Sequence, residues 1–175
     1  MSLITQFLKC EKAQSLLELD DMDGLYRICP DVTSLTEFFI ENNLPYLDYL
    51  SEIPHDSHYE LNIEKILIPN NIKAIRNSAF YDCRQLQEVV VGSGTEVIEK
   101  YAFSGCHNLS KITFSEGLRT IRDFAFEECF DLTELDMPSS VKFVESQAFY
   151  NCSSLDIIRY KGKEYTVYDF LGLFN

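Results

Sequence analysis

An Ala-Phe pair, a cysteine three residues after the Phe and a leucine three residues after the Cys recur four times at an unbroken spacing of 23 residues. The copies are Ala79-Phe80-Cys83-Leu86, Ala102-Phe103-Cys106-Leu109, Ala125-Phe126-Cys129-Leu132 and Ala148-Phe149-Cys152-Leu155. Further apolar columns share the period: Ile66, Val89, Ile112, Leu135, Ile158; then Ile68, Val91, Phe114, Met137, Tyr160; then Ile75, Ile98, Ile121, Val144. A period of this length is that of a solenoid, in which each copy is one turn and its neighbours supply the rest of its core. One copy cannot fold alone. Its eight or so inward side chains contribute roughly 1.5–3 kcal/mol each. Ordering the backbone of one coil costs about 1–2 kcal/mol per residue. Stacking removes the deficit by covering both sides of every coil, and an extra residue within a coil would put every column out of register.

Within each copy a segment such as "LQEVVVG" or "LSKITFS" alternates apolar and polar residues, the signature of a short half-buried strand. Its alternate residues point inward and those between point out. A turn follows ("PNN", "GSG", "SEG", "PSS"), whose third position, Asn71, Gly94, Gly117 or Ser140, is rich in residues that tolerate a positive φ.

These residues resemble the BspA-like leucine-rich repeat family, whose pattern runs approximately L..I.IP..v..I...AF..C..L. The resemblance covers about residues 61–160 in four full copies and a partial fifth. It implies an α+β architecture: a right-handed leucine-rich-repeat solenoid with a parallel β-sheet on its concave face. It also implies adhesion or protein recognition without catalysis or cofactor. The family's surface adhesins carry export signals and long arrays, neither of which is found here.

The ends of the array differ from the repeat. Residues 1–58 read as a small helical N-terminal cap region, with "TSLTEFFIENN" opening on a Ser34…Glu37 capping box. Residues 59–160 form the repeat array, and residues 161–175 a C-terminal cap, in which Lys161-Gly162-Lys163 marks a hairpin and the apolar tail a short helix. The formal net charge of −13 is concentrated at the start: residues 1–60 hold three Lys/Arg against twelve Asp/Glu. Such a balance argues against nucleic-acid binding through phosphates and against anionic membrane surfaces. With no basic-then-apolar leader and no apolar run of membrane-spanning length, the expected location is the cytoplasm.

Candidate chemistry reduces to structure. The four repeat cysteines stack with parallel Cβ vectors, unsuited to bridging, and read as a reduced core ladder. His55-Asp56-Ser57-His58 are adjacent, whereas a catalytic triad converges from separate elements, so this is a polar linker. "DDMDG" at 20–24 places Leu19 and Pro30 where a calcium loop requires acids. "GSG" at 92–94 replaces "PNN" of the preceding coil and is a turn, not a phosphate loop.

A partner surface is expected on the outward strand columns. One reads Lys65, Glu88, Lys111, Glu134, Ile157, and alternates in sign so that neighbouring strands can pair. The other reads Leu67, Val90, Thr113, Asp136, Arg159. A second row beyond the Ala-Phe pair holds Tyr81, Ser104, Glu127 and Tyr150, with Tyr101 and Phe124 just before the pair and without evident core duty. The leading functional expectation is a non-catalytic module binding a protein partner. The alternatives are an inhibitor or host-takeover factor, encoded by a phage or mobile element and acting through the acidic helical region, or a structural or surface component.

Overall fold

The computed structural model describes the backbone of Glu52–Ile53 and residues 63–174. The expected N-terminal helices, the "HDSH" cluster and the "DDMDG" turn lie outside the described residues. Strands alternate long and short along the chain: β1 (Glu52–Ile53), β2 (Lys65–Ile68), β3 (Ala74–Ile75), β4 (Glu88–Val91), β5 (Val97–Ile98), β6 (Lys111–Phe114), β7 (Thr120–Ile121), β8 (Glu134–Met137), β9 (Phe143–Val144) and β10 (Ile157–Tyr160). A hairpin strand, β11 (Lys163–Tyr165), and one helix, α1 (Val167–Leu171), follow.

Each coil contributes one long and one short strand, and equivalent strands pair in parallel with the next coil except between β6 and β8. The long strands form two sets, β2-β4-β6 and β8-β10-β11, while the short strands form a second sheet, β1-β3-β5-β7-β9. The registers are those of the sequence columns, with Ile66 opposite Val89 and Val89 opposite Ile112. The second sheet was not foreseen as strand, because two residues per coil are too few to show an alternation. The Ala-Phe segment supplies a third line of contact. Phe80, Phe103 and Phe126 donate their N–H groups to the carbonyls of Ala102, Ala125 and Ala148 at 2.7, 2.8 and 2.9 Å.

The core is a file of like residues. The rings of Phe80 and Phe103 stack at 5.0 Å, Phe103 and Phe126 at 5.4 Å, and Phe126 and Phe149 at 5.7 Å, each pair within about 11° of parallel. Alanine precedes each Phe because both Ala and Phe are buried at this corner and the next coil's backbone lies within hydrogen-bonding reach. The cysteine column is a buried, reduced ladder with a further duty. Cys106, Cys129 and Cys152 donate their thiols to the carbonyls of Phe80, Phe103 and Phe126 in the preceding coil, at 3.2, 3.4 and 2.8 Å. Burial raises the Cys106 and Cys129 thiols well above their ordinary value, so they remain protonated donors.

The tolerance of positive φ at the third turn position is used only once. Of Asn71, Gly94, Gly117 and Ser140, only Gly117 takes it, at 127°. The left-handed residues stand instead just before each cysteine (Asp82, Gly105, Glu128, Asn151) and before three of the Ala-Phe pairs (Ser78, Tyr101, Phe124). Gly94 answers a different need: a Cβ there would stand 1.8 Å from the Asn70 carbonyl oxygen of the coil beneath.

One seam interrupts the long-strand ladder. Gly92 N donates to Ile68 O at 2.9 Å and Ser115 N to Val91 O at 3.0 Å. The next position in that series is Pro138, which has no N–H to give. Among the described residues, β6 and β8 lie in separate hydrogen-bonded sets.

The C-terminal closure matches the expected hairpin and short helix. Lys161 (φ 50°) and Gly162 (φ 75°) form the two-residue turn, and β11 pairs antiparallel with β10. Thr166 caps α1 by accepting from Asp169 N at 3.1 Å. The helix buries Phe170 against Tyr160, with ring centroids 5.6 Å apart.

Candidate partner-binding surface

The alternation within each long strand delivers the two outward columns to solvent. Ile66 and Ile68 are buried while Lys65 and Leu67 are exposed, and the same phase recurs along β4, β6, β8 and β10. Across the first three strands the charged column closes on itself. Glu88 accepts from Lys65 Nζ at 2.7 Å through one oxygen and from Lys111 Nζ at 2.9 Å through the other. These two bonds hold the Glu88 carboxyl below the usual carboxylate range. The pairing then stops at the seam, where Glu134 turns to Arg159 and not to Lys111. Arg159 spreads its guanidinium over three carboxylates: Glu134 at 2.8 Å, Glu164 at 3.1 Å and Asp136 at 3.5 Å. The Glu134 and Glu164 bonds raise its already high pKa further.

The second column runs beside this rail. Leu67 is 62% exposed, Val90 is half-buried directly opposite it, Thr113 and Asp136 are exposed, and Arg159 is half-buried. Ile157 of the first column is half-buried as well. The apolar end therefore lies at β2 and β4, and the charged end at β8 and β10.

The row beyond the Ala-Phe pair lies on another side of the coil and is heterogeneous. Tyr81 is half-buried, and Ser104 is buried and donates to Glu127 Oε2 at 2.8 Å. Tyr150 is 54% exposed. Tyr101 and Phe124 lie outside the core and pack on each other. Their half-buried rings stack at 5.1 Å, and Tyr150 meets the edge of Phe124 at 5.8 Å.

Sequence reasoning missed a second ionic rail beside the short strands. Arg76 reaches Glu99 at 2.6 Å and Arg122 reaches Glu145 at 2.8 Å, and each glutamate also accepts a backbone N–H, from Asn77 and Asp123. The signal was present: positions 76, 99, 122 and 145 alternate in sign at the repeat spacing, as the long-strand column does. Among the described residues, no group of three or more His, Cys, Asp or Glu side chains is arranged to hold a metal. No helix among them is long and apolar enough to cross a membrane.

Parallel ladders, inward Ile/Val/Leu columns and a stacked Phe file define a leucine-rich-repeat solenoid. The family is equally plain: six copies of the BspA type leucine rich repeat region match residues 51–169, and the chain belongs to that family. No curated protein matches it. Among solved structures it is similar to the leucine-rich repeat protein of T. pallidum, with a TM-score of 0.61 and 28% identity over 63% of this chain and 52% of that one. The pneumococcal vaccine antigen PcpA gives a TM-score of 0.54 and 24% identity over 62% of this chain and 26% of that one. A leucine-rich repeat protein from Bacteroides capillosus gives 0.53 and 23% over 65% and 86%. The likeness thus spans about half of the T. pallidum protein and about a quarter of the pneumococcal antigen.

Proposed function

We propose that the chain is a non-catalytic interaction module that binds a protein partner through its long-strand face. One observation carries this reading: the apolar strip Leu67–Val90, with Thr113 beside it, lies along a charged rail whose members already hold one another in place. Stacking the coils requires the inward columns only. The outward ones are free to be selected for another purpose, and extended sheet faces are where repeat proteins commonly bind. An apolar centre with a polar border is also the usual anatomy of an interface.

The test replaces Leu67 and Val90 with Asp together, and separately Glu88 with Lys, in the full chain. The melting temperature is expected to stay within a few degrees of wild type, since these side chains point away from the core. Affinity capture from the native host, compared quantitatively by mass spectrometry, is expected to lose the same protein in both variants. Identical captured sets from wild type and both variants would reject the long-strand face as the binding surface.

A further inference from the structure

A groove of about 520 Å³ opens at the C-terminal end of the solenoid, and none of its lining residues belongs to the two outward columns of the long strands. Its floor and walls come from Val141, Tyr160, Tyr165 and Phe174, and its lysines are Lys142, Lys161 and Lys163. Three features of this place converge.

The first is electrostatic. Lys65, Lys100, Lys111, Arg119, Arg122 and Arg159 each reach a carboxylate. Among the described residues Lys142, Lys161 and Lys163 reach none, as does Lys73 of the first coil, although the protein carries a formal net charge of −13; three of these four lysines line this one groove. The acids nearest in sequence are engaged elsewhere: Glu164 with Arg159 at 3.1 Å, and Asp169 with the Thr166 hydroxyl at 2.8 Å. Lys161 lies with its ammonium 4.7 Å from the centre of the Tyr160 ring, a cation held over the groove's aromatic floor.

The second is the backbone. β9 is the outer strand of the five-stranded sheet among the described residues. In every earlier coil the carbonyls at this level accept from the following coil: Lys73 O from Glu96 N at 2.9 Å, Glu96 O from Arg119 N at 2.9 Å, Arg119 O from Lys142 N at 2.9 Å. Lys142 O is the next in the series, and no backbone N–H among the described residues donates to it. An unpaired strand edge is a template for one more strand. The third is apolar surface: Phe143 on β9 and Leu173 beyond α1 are both exposed, at 41% and 48%.

We infer that this groove binds an extended acidic segment of a partner protein, which adds as a parallel strand to the edge of β9. Its N–H groups continue the series at Lys142 O, its apolar side chains rest on the Tyr160–Tyr165–Phe174 floor, and its carboxylates meet Lys142, Lys161 and Lys163. The site is separate from the long-strand face, and either can fail without the other.

The probe is a fluorescein-labelled decapeptide of alternating Glu and Ile, titrated with the full chain and followed by fluorescence anisotropy. Saturable binding is expected. It should weaken about tenfold in a K142Q/K161Q/K163Q variant, the scale expected for three exposed ion pairs. It should weaken further as salt is raised, because exposed pairs are screened. N-methylating alternate peptide residues, in the two possible phases, keeps every charge and side chain; one phase should abolish binding and the other should not. Circular dichroism of the variant checks that its fold is unchanged, and the N-methylated peptides test the proposal without altering the protein. Absence of binding, equal loss in both N-methyl phases, or equal affinity for the Lys-Ile counterpart would overturn it. So would full competition by tripolyphosphate at equal charge, which would mark a simple anion site. Concentration-dependent self-association that the triple variant abolishes and the peptide does not displace would also overturn it, by assigning the groove to a second copy of the chain.

Discussion

Replacing Phe126 with alanine tests the stacking that holds the coils together. Its ring is fully buried, with Phe103 at 5.4 Å on one face, Phe149 at 5.7 Å on the other and the Phe114 edge at 6.2 Å. Emptying a buried Phe site costs about 3–5 kcal/mol, and each lost aromatic pair is worth about 0.5–1.5 kcal/mol within or beyond that sum. Phe149 offers the internal control. It too is buried, but among the described residues it stacks on one ring only. Phe126→Ala is therefore expected to cost about 4–5 kcal/mol and Phe149→Ala about 3 kcal/mol. The two variants should also differ in kind. Phe126 supplies the buried ring contact across the β6–β8 seam, beside the more exposed Phe124–Tyr150 contact, and Pro138 already withholds a ladder bond there, so its removal should loosen the coil of β8 and β9 from those before it. Urea unfolding followed by hydrogen exchange and mass spectrometry reads both effects. In Phe126→Ala, amides of residues 134–160 should exchange well before those of 88–112, and in wild type the two should lie closer together. If Phe149→Ala proves the costlier change, or if protection falls evenly along the array in Phe126→Ala, the nearest-neighbour account of this solenoid is wrong.

Gly94→Ala, whose Cβ would stand 1.8 Å from the Asn70 carbonyl oxygen, is expected to cost about 2–3 kcal/mol in urea titration because backbone must move. Gly162→Ala meets open space and suffers only its φ of 75°, about 1–2 kcal/mol, so the first change should be at least as damaging as the second. Acid should destabilise the array through three carboxylates. Hydrogen bonds from Lys65 and Lys111 lower Glu88, and the Ser139 N–H chiefly lowers Glu116. In Glu145 burial pushes the carboxyl up but is outweighed by Arg122 and the Asp123 N–H. All three lie below 4.5 in the folded chain and return to it on unfolding, so their stabilisation is complete above pH 4.5 and is lost as the pH falls through the folded values. The melting temperature should be level from neutrality down to about pH 5 and fall below it, and an E88Q/E116Q/E145Q variant should show a shallower fall. An unchanged slope in that variant would place the acid sensitivity elsewhere.

What the sequence determined by itself is whatever the 23-residue period controls. The inward columns, the Phe file, the reduced cysteines, the hairpin at Lys161-Gly162 and the Lys65–Glu88–Lys111 rail all recur at fixed offsets. In a solenoid an offset of one period is a spatial neighbour, so linear spacing already is contact. The tertiary structure decided what depends on the third dimension between those offsets. Cys106 reaches Phe80, 26 residues away and off the period, because its thiol crosses from one side of its coil to the carbonyl beneath. Gly94 is required by the closeness of the coil below it, not by its own φ, and Tyr101 and Phe124 stack at the surface from left-handed backbone that their residue types do not announce. The groove at Lys142, Lys161 and Lys163 joins a turn of the coil of β8 and β9 to the hairpin that follows β10. No period relates those residues, and only the closing of the last coil brings them together.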